Sequence, residues 1–350
     1  MVTLKCNSYQ MKTMKKIRYI FLALAAVTAV SCSKHNTDGP QPLNPYIFFE
    51  AGMSDIVETK TEMILDDVFQ NDDTAFGVLG FYQNNAPIFN EYTNNIERVY
   101  REGGLYKYDN LAVWQGTSHR FSAFYPYDDE LLSNVKVGTD KVPYIEYTQP
   151  WDMANMKDIL GAYTQVENTN PTSTNDAVAL HFQHLLWAFN VVITNSQTVE
   201  VTASENITNP SIAIKKVTLS LKDFPKTANL KLDQNFSVSP GEVVTENVVM
   251  YSDETGQQIA SGSSSTFGPL LFIPVSGLSY KITIDYTTQG GVNDTFTYPA
   301  DEYQPVSSSF SKGQVCKLTI EKSNDRFFVG KIDNSGNWTD FDRNLEHNFE

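Results

Sequence analysis

Residues 217–222 read Val-Thr-Leu-Ser-Leu-Lys, and residues 282–287 read Ile-Thr-Ile-Asp-Tyr-Thr. In both stretches an apolar residue alternates with a polar one. Side chains on a β-strand point to opposite faces in turn, so this period of two predicts strands with one buried face and one solvent-facing side. Such half-buried strands are typical of antiparallel sheets. The two stretches therefore predict antiparallel β-structure in the second half of the chain.

Similar strand signals recur along the chain, separated by the turn-forming residues Asn, Asp, Thr, Gly and Pro. Earlier strands are predicted at residues 47–49, 76–82, 120–125, 178–182 and 187–194. Helical periodicity is weak, and only short helical pieces are predicted near residues 62–69 and 154–160. The predicted fold class is all-β, with two tandem antiparallel β-sandwich domains.

Length and polarity predict how the chain is divided. A chain of 350 residues exceeds the size at which one core keeps growing. Polarity rises over residues 196–211 before the strand period resumes, which is typical of a domain boundary. We therefore expect an N-terminal β-sandwich over residues 44–195 and a C-terminal β-sandwich over residues 196–350, each folding independently.

The start of the chain has the pattern of an export signal. The apolar run over residues 19–30 follows a basic cluster formed by Lys12, Lys15, Lys16 and Arg18. This order is typical of a secretory signal, and the run is shorter than the roughly 20 residues that a membrane-spanning helix needs. We predict a signal peptide over residues 1–31 and a polar, extended tether over residues 32–43.

The charge balance excludes one class of partner. Acidic residues outnumber basic ones by 41 to 26, which gives a formal net charge of −15. Nucleic-acid binders need a basic face to neutralise phosphate, so no nucleic acid is expected as a partner. Apolar residues make up 41% of the chain, which excludes disorder over most of its length.

No sequence pattern indicates catalysis, a cofactor or a metal. The sequence has no P-loop, no HExxH and no EF-hand loop. His181 and His184 are three positions apart on a predicted strand, so their rings point to opposite faces and are expected to be structural. Acidic pairs at residues 66–67, 72–73 and 128–129 lie among turn residues and are interpreted as solvated. We expect a protein that is not an enzyme, without catalytic, cofactor-binding or metal-binding residues.

The three cysteines lie far apart, at Cys6, Cys32 and Cys316. This spacing predicts neither a disulfide scaffold nor a Cys-rich zinc site. Cys316 alternates with Leu318 and Ile320, which is typical of a buried core thiol.

The residues Ala29-Val30-Ser31-Cys32, after the apolar run, resemble the end of a bacterial lipoprotein signal. In such signals the cysteine is diacylated and becomes the new N-terminus. The resemblance therefore implies that Cys32 is lipidated, because acylation by two or more chains gives stable membrane anchoring. Plain secretion is the alternative.

Several further segments, in a fixed order, resemble the fimbrillin-like family of Bacteroidales surface proteins. They are Thr59-Lys60-Thr61, FGVLGFY (76–82), Trp114, RFSAFYP (120–126), DILGA (158–162), VALHFQHL (178–185), Phe272-Ile273-Pro274 and a final Trp338. Each segment alone is weak support for the resemblance, which rests on the order in which the segments occur.

This resemblance implies two β-sandwich domains of transthyretin-like topology, a lipidated precursor at the outer membrane, and assembly into pili that mediate cell adhesion. In the family a protease removes the first strand, and a strand of another subunit fills the groove by β-strand addition. Here the removable strand would lie at residues 47–49, and Lys60 would be the candidate proteolytic processing site. The implied partners are other pilus subunits, the outer membrane through the lipid anchor, and a host or bacterial surface receptor. The polar residues 343–350 leave stalk, anchor, tip and monomeric roles open.

The alternative function is a surface glycan-binding lipoprotein of a polysaccharide-uptake system. Its sugar would stack on an exposed aromatic side chain, for which Trp114 and Trp151 are the candidates.

Overall fold

The computed structural model describes residues 46–53, 68–89, 95–167, 177–198, 210–324 and 326–337. Regular structure in these ranges is almost entirely β-strand, which confirms the all-β class. Cys32, Lys60 and Trp338 lie outside the described residues.

The strands follow one another closely along the chain. Those of the first half are β1 (Phe49–Met53), β2 (Ala75–Tyr82), β3 (Ile96–Glu102), β4 (Leu105–Lys107), β5 (Ser118–Tyr125), β6 (Val135–Val137), β7 (Pro143–Thr148), β8 (Leu160–Glu167), β9 (Val178–His184) and β10 (Trp187–Asn195). Those of the second half are β11 (Ile212–Pro225), β12 (Thr227–Lys231), β13 (Val238–Pro240), β14 (Val243–Ile259), β15 (Ser264–Phe272), β16 (Leu278–Thr288), β17 (Asn293–Tyr298), β18 (Gln304–Val306), β19 (Gln314–Lys322) and β20 (Phe327–Asn337).

The described strands form four sheets. Sheet A has the order β1-β9-β8-β5-β2-β3-β4, and sheet B the order β13-β12-β7-β6. Sheet C has the order β15-β10-β19-β20, and sheet D the order β14-β11-β16-β17, with β18 beside β16. Most neighbouring strands are antiparallel, whereas β1 with β9 and β10 with β19 are parallel.

The two stretches with the clearest alternation lie side by side in sheet D. Strands β11 and β16 pair antiparallel, with Val217 opposite Ile284. Val217, Leu219 and Ile284 are fully buried. The period of two therefore predicted both the strand type and the buried face correctly.

Sheet A encloses a core of its own. Its inner side carries a cluster of aromatic and aliphatic side chains, including Phe49, Phe76, Phe121 and Phe182. The other face of the sheet contributes Leu79 to a second cluster, which runs on through the other sheets. The FGVLGFY motif needs a glycine at position 77, because a Cβ there would overlap the ring of Phe124 on β5.

Strand pairs and side-chain hydrogen bonds cross the predicted boundary between residues 195 and 196. Strand β10 pairs with β15 and β19, and β7 pairs with β12. The buried Gln149 donates from Nε2 to the carbonyl oxygen of Leu271 (2.8 Å) and accepts from the N–H of Ile273 (3.1 Å). By its pairing, β10 belongs to a sheet of the second half. That residues 44–195 and 196–350 fold independently stays a prediction.

Helices are short where they occur. Helix α1 (Asp129–Asn134) begins after Asp128, whose carboxylate accepts the N–H of Leu131 at 2.8 Å as an N-cap. The acidic pair at residues 128–129 thus starts a helix that the sequence pattern did not predict. The helical piece predicted near residues 154–160 is wrong, because it contains only the end of a 3-10 turn (Met153–Asn155) and the start of β8.

Candidate functional site

The first described segment, residues 46–53, lies along one edge of sheet A with three of its apolar side chains turned into the core. Ile47 is 0% exposed, and Phe49 and Met53 are each 4% exposed. Phe48, between them, is 38% exposed, and Glu50 is exposed. We call residues 46–53 the first-strand segment, and the space that Ile47, Phe49 and Met53 fill the first-strand groove.

The backbone of the first-strand segment is bonded on two sides. On one side β1 pairs in parallel with β9, with Phe49 opposite Val178. The N–H of Val178 donates to the carbonyl oxygen of Phe48 at 2.7 Å. On the other side the N–H of Ile47 donates to the carbonyl oxygen of Ala112 at 2.9 Å. The segment therefore closes the sheet edge by main-chain pairing, as an added strand does in β-augmentation.

Two tyrosines of the opposite edge of sheet A hold the same segment. The Tyr108 hydroxyl donates to the carbonyl oxygen of Ile47 (2.6 Å) and accepts from the N–H of Ala112 (3.3 Å). The Tyr106 hydroxyl lies 2.5 Å from the carbonyl oxygen of Phe69 and 3.4 Å from that of Ala51. Tyr106 therefore touches the chain on both sides of residues 54–67. We call Tyr106 and Tyr108 the tyrosine latch.

Burial keeps one of these hydroxyls in its donor form. Tyr108 is 7% exposed, and desolvation by burial raises its pKa to about 12. Its proton therefore stays in place to higher pH than that of an ordinary tyrosine, and the hydroxyl can donate to Ile47 over this wider range.

Aromatic rings form the floor of the first-strand groove. The Phe49 ring meets Phe121 and Tyr108 edge-on, with centroids 5.5 Å and 5.6 Å away, and Phe89 lies at 6.3 Å. Such edge-to-face contacts add about 0.5–1.5 kcal/mol per pair to the burial of the ring. Phe49 is therefore the central anchor of the segment.

Glu97 on β3 fixes the turn that follows Tyr108. It is 3% exposed, and its carboxylate accepts from the N–H groups of Asp109 (3.3 Å) and Asn110 (3.2 Å). The side-chain amide of Asn110 donates to it as well, at 2.9 Å. The oxygens of this buried side chain are thus satisfied by N–H donors, as burial requires. Sequence reasoning did not find Glu97 or the tyrosine latch. Strand β3 reads Ile-Glu-Arg-Val-Tyr-Arg-Glu, so Glu97 stands among other charged residues and nothing local sets it apart.

The chain that follows residues 54–67 has its own anchors. Phe69 is fully buried and stacks on Phe182, with ring centroids 4.6 Å apart. The carboxylate of Asp72 accepts from the N–H groups of Gly103 (3.1 Å) and Gly104 (3.3 Å). These contacts do not involve the first-strand segment.

Trp114 and His119 lie near the start of the first-strand segment. Trp114 is 7% exposed, its ring stands edge-on to His119 at 4.8 Å, and the residue before it, Val113, bridges to Tyr46. His119 accepts from the N–H of Gln115 at 3.2 Å, and burial lowers its pKa. Trp114 is thus a core residue, so it does not offer a sugar-stacking face. Trp151 is half-buried and packs edge-on to Phe224 at 6.0 Å.

The residues that the sequence raised for metal or thiol chemistry lie in different surroundings. His181 is exposed and His184 is buried, as their odd spacing predicted, and Nδ1 of His184 lies 2.6 Å from an Asp158 oxygen. Burial raises the pKa of the Cys316 thiol to about 12, which fits a core cysteine. Within the described ranges, no three His, Cys, Asp or Glu side chains are grouped as a metal site would need. Of the two site residues predicted, Cys32 and Lys60, neither falls in those ranges.

No helix among the described residues is long and apolar enough to cross a bilayer.

The fold and the groove together define an all-β protein whose sheet edge is completed by a short segment from near the start of the chain. A model of the fimbrillin-like family matches residues 59–334, and the chain belongs to that family. This confirms the resemblance drawn from the sequence.

Several solved structures are similar to this chain at low sequence identity. A fimbrial protein from Bacteroides vulgatus is 16% identical, with a TM-score of 0.52, over 83% of this chain and 99% of that chain. A protein proposed to act in cell adhesion, from Bacteroides uniformis, is 16% identical with a TM-score of 0.49 over the same shares. The tip fimbrial protein Mfa3 from Porphyromonas gingivalis, truncated at its C-terminus, is 11% identical with a TM-score of 0.42, over 83% of this chain and 99% of that chain. No curated protein matches the sequence.

Proposed function

We propose that this protein is a structural or accessory pilus subunit of the bacterial cell surface that acts in cell adhesion. In this proposal Cys32 carries the lipid that anchors the precursor to the outer membrane. A protease then cuts after Lys60, the first-strand segment leaves, and a strand of another subunit takes its place. Membership of the fimbrillin-like family supports the pilus role.

The first-strand segment is the observation that carries this proposal. It supplies three buried side chains to the core of sheet A, and it is joined to the next described residue by residues 54–67, which contain Lys60. Its loss would expose the first-strand groove and the unpaired edge of β9. An exposed apolar groove beside an open strand edge is unfavourable in a monomer and favours capture of another strand.

Assembly is tested with purified mature protein after limited digestion by a trypsin-like protease. Strand exchange between subunits would give a ladder of polymers that resists SDS, because each donor strand would be buried along its length. A Lys60→Gln variant treated in the same way is the matched control and should stay monomeric. Polymer formation by undigested wild-type protein, or none by cleaved protein mixed with other pilus subunits, would reject this assembly route.

The lipid anchor has a separate test. Cys32→Ala should move the protein from the membrane fraction to the soluble fraction and remove the mass of the acyl chains. Cys32→Ser, which keeps the size of the side chain, should behave in the same way. A variant that stays in membranes with unchanged mass would place the anchor elsewhere.

We further propose a binding and structural role without catalysis. The alternative, a glycan-binding surface lipoprotein, gains no support from Trp114, which is buried, or from Trp151, which packs on Phe224. A glycan array probed with the soluble Cys32→Ala protein separates the two functions. Specific retention of one polysaccharide would favour the alternative.

A further inference from the structure

We propose that cleavage and strand release are separate events in this protein: after a cut within residues 54–67 the first-strand segment stays bound, and the tyrosine latch sets the rate at which an incoming strand replaces it. This inference rests on the proposed strand exchange and concerns its regulation.

The bound state after cleavage follows from what holds the first-strand segment. Among the described residues it has contacts that do not depend on the cut: three side chains are buried, β9 is paired with it in parallel, and Ala112 and Tyr108 bond the main chain of Ile47. Burying a large apolar side chain is worth about 1.5–3 kcal/mol. Three such side chains together with the main-chain hydrogen bonds favour a complex that persists after the covalent link is lost.

The chain on the other side of the cut also stays in place. Phe69 stacks on Phe182, and Asp72 holds the turn at Gly103 and Gly104, so the new N-terminal region keeps its anchors. The Tyr106 hydroxyl keeps its 2.5 Å contact with Phe69 when the 3.4 Å contact with Ala51 is lost. The groove wall therefore remains ordered while the segment departs, and an incoming strand meets a preformed site.

Tyr108 is the stronger member of the latch toward the leaving segment. Its hydroxyl links Ile47 to Ala112, on the side of the segment opposite β9. Departure of the segment removes the acceptor of a buried hydroxyl, so the bond must break before a competitor's carbonyl can take its place. Removing the hydroxyl should therefore speed the release of the segment while leaving its apolar anchors in position.

The shape of the first-strand groove also limits which strands can enter it. The segment now in place runs parallel to β9, and its replacement must put bulky apolar side chains where Ile47, Phe49 and Met53 lie. The position of Phe48 faces outward and tolerates polar residues. The partner is therefore an extended segment with apolar residues at the positions that correspond to Ile47, Phe49 and Met53.

The test uses the full mature chain with residues 58–62 replaced by the recognition sequence of a site-specific protease, so that it does not depend on Lys60. After cleavage, native gel filtration and mass spectrometry should show both fragments in one peak. A fluorescent synthetic peptide of residues 44–54 is then added in excess, and its uptake is followed by anisotropy.

Two matched pairs of variants make the test specific. Tyr108→Phe protein should take up the peptide roughly three- to tenfold faster than wild type. Tyr100→Phe, on β3 with its hydroxyl toward Asp109, is the control and should leave the rate unchanged. A peptide with Phe49→Ser should compete at least about a hundredfold less well than the native peptide. The Phe48→Ser peptide should compete almost as well as the native one.

The outcomes separate this inference from the proposed assembly. If the N-terminal fragment elutes alone immediately after cleavage, or if Tyr108→Phe and Tyr100→Phe exchange at equal rates, the inference is wrong even where polymers form. If peptide exchange follows the expected order but cleaved protein never polymerises with any pilus subunit, the latch is supported and the assembly proposal fails.

Discussion

Tyr108 and Ile47, 61 positions apart in the chain, are joined by a 2.6 Å hydrogen bond from the tyrosine hydroxyl to the isoleucine carbonyl oxygen. The bond links the opposite edges of the seven-stranded sheet A through a side chain, next to the main-chain bond between Ile47 and Ala112. Unlike the main-chain groups of a strand ladder, a tyrosine hydroxyl can be titrated.

Alkaline pH should therefore weaken the fold through Tyr108. Burial raises its pKa from 10.0 to about 12, so the unfolded chain loses this proton at lower pH than the folded chain does. The stabilisation is fully present below pH 10 and is lost as the pH rises toward 12. In Tyr108→Phe the fall in unfolding free energy over this range should be smaller by roughly 1–3 kcal/mol. Urea unfolding at several pH values measures it, and equal slopes for both proteins would contradict the prediction.

The two neighbouring phenylalanines of the first-strand segment should differ sharply in their effect on stability. Phe49→Ala removes a 4% exposed ring from contact with Phe121 and Tyr108 and should cost about 3–5 kcal/mol of unfolding free energy. Phe48→Ala removes a 38% exposed ring and should cost about 1 kcal/mol or less. Denaturant unfolding of the intact chain measures both. Equal losses would mean that the segment does not lie in the groove in this register.

How far the sequence predicts this region depends on the range of each interaction. The apolar residues Ile47 and Phe49 predicted a strand, and the odd spacing of His181 and His184 placed them on opposite faces, because both follow from local geometry. The parallel partner of β1 is β9, which begins at Val178. That pairing joins distant parts of the chain, and no local period encodes it.

The tyrosine latch shows the same limit for the candidate site. Tyr106 and Tyr108 are two positions apart and resemble any strand tyrosines, and their role appears only when the curvature of sheet A brings Ala51 and Ile47 next to them. Helix α1 was missed for a different reason. It has six residues, too few to establish a helical period, and by sequence alone Asp128 is as typical of a turn as of an N-cap.

Gln149 should prove important for the coupling between the two halves of the chain. Gln149→Leu keeps the volume of the side chain but leaves the carbonyl of Leu271 and the N–H of Ile273 without their partner in the core. We expect a loss of about 2–4 kcal/mol, since each buried unsatisfied group costs about 1–3 kcal/mol. Gln165→Leu, at an exposed position, is the control and should be nearly neutral. Unchanged stability of Gln149→Leu would show that this contact contributes nothing.

The same variants address the predicted division at residues 195 and 196. Calorimetry of Gln149→Leu should show whether residues 44–195 and 196–350 unfold in two steps or in one. Two separated transitions would support independent domains joined by Gln149. One transition would mean that the pairing of β10 with β15 and β19 makes the halves a single cooperative unit.

Mild acid should weaken the fold through His119. Burial lowers its pKa below the ordinary value of 6.5, so the unfolded chain binds a proton at higher pH than the folded chain does. The stabilisation is present above pH 6.5 and is lost as the pH falls through the lowered folded value. His119→Phe should remove this part of the pH dependence, whereas a change at the exposed His181, His181→Gln, should not. Identical pH profiles for wild type and His119→Phe would reject the prediction.

Between Cys32 and Arg98 the only lysine or arginine residues are Lys34, in the tether, and Lys60. The first cut by a trypsin-like protease on the C-terminal side of the first-strand segment should fall after Lys60 and leave a stable fragment beginning at Thr61. The next basic residues along the chain, Arg98 and Arg101, both lie on β3, which is paired with β2 on one side and β4 on the other. Arg101 is also held by an ion pair with Asp72 at 3.3 Å. A protease needs an extended, unpaired stretch of chain, so cleavage at these two sites requires opening of sheet A and should be slower by orders of magnitude. Digestion sampled over time, with N-terminal sequencing of the fragments, measures the order of the cuts. Lys60→Gln should abolish the first cut, and Arg98→Gln should leave it unchanged. An early cut after Arg98 or Arg101 in wild-type protein would contradict both the pairing of β3 and the role proposed for Lys60.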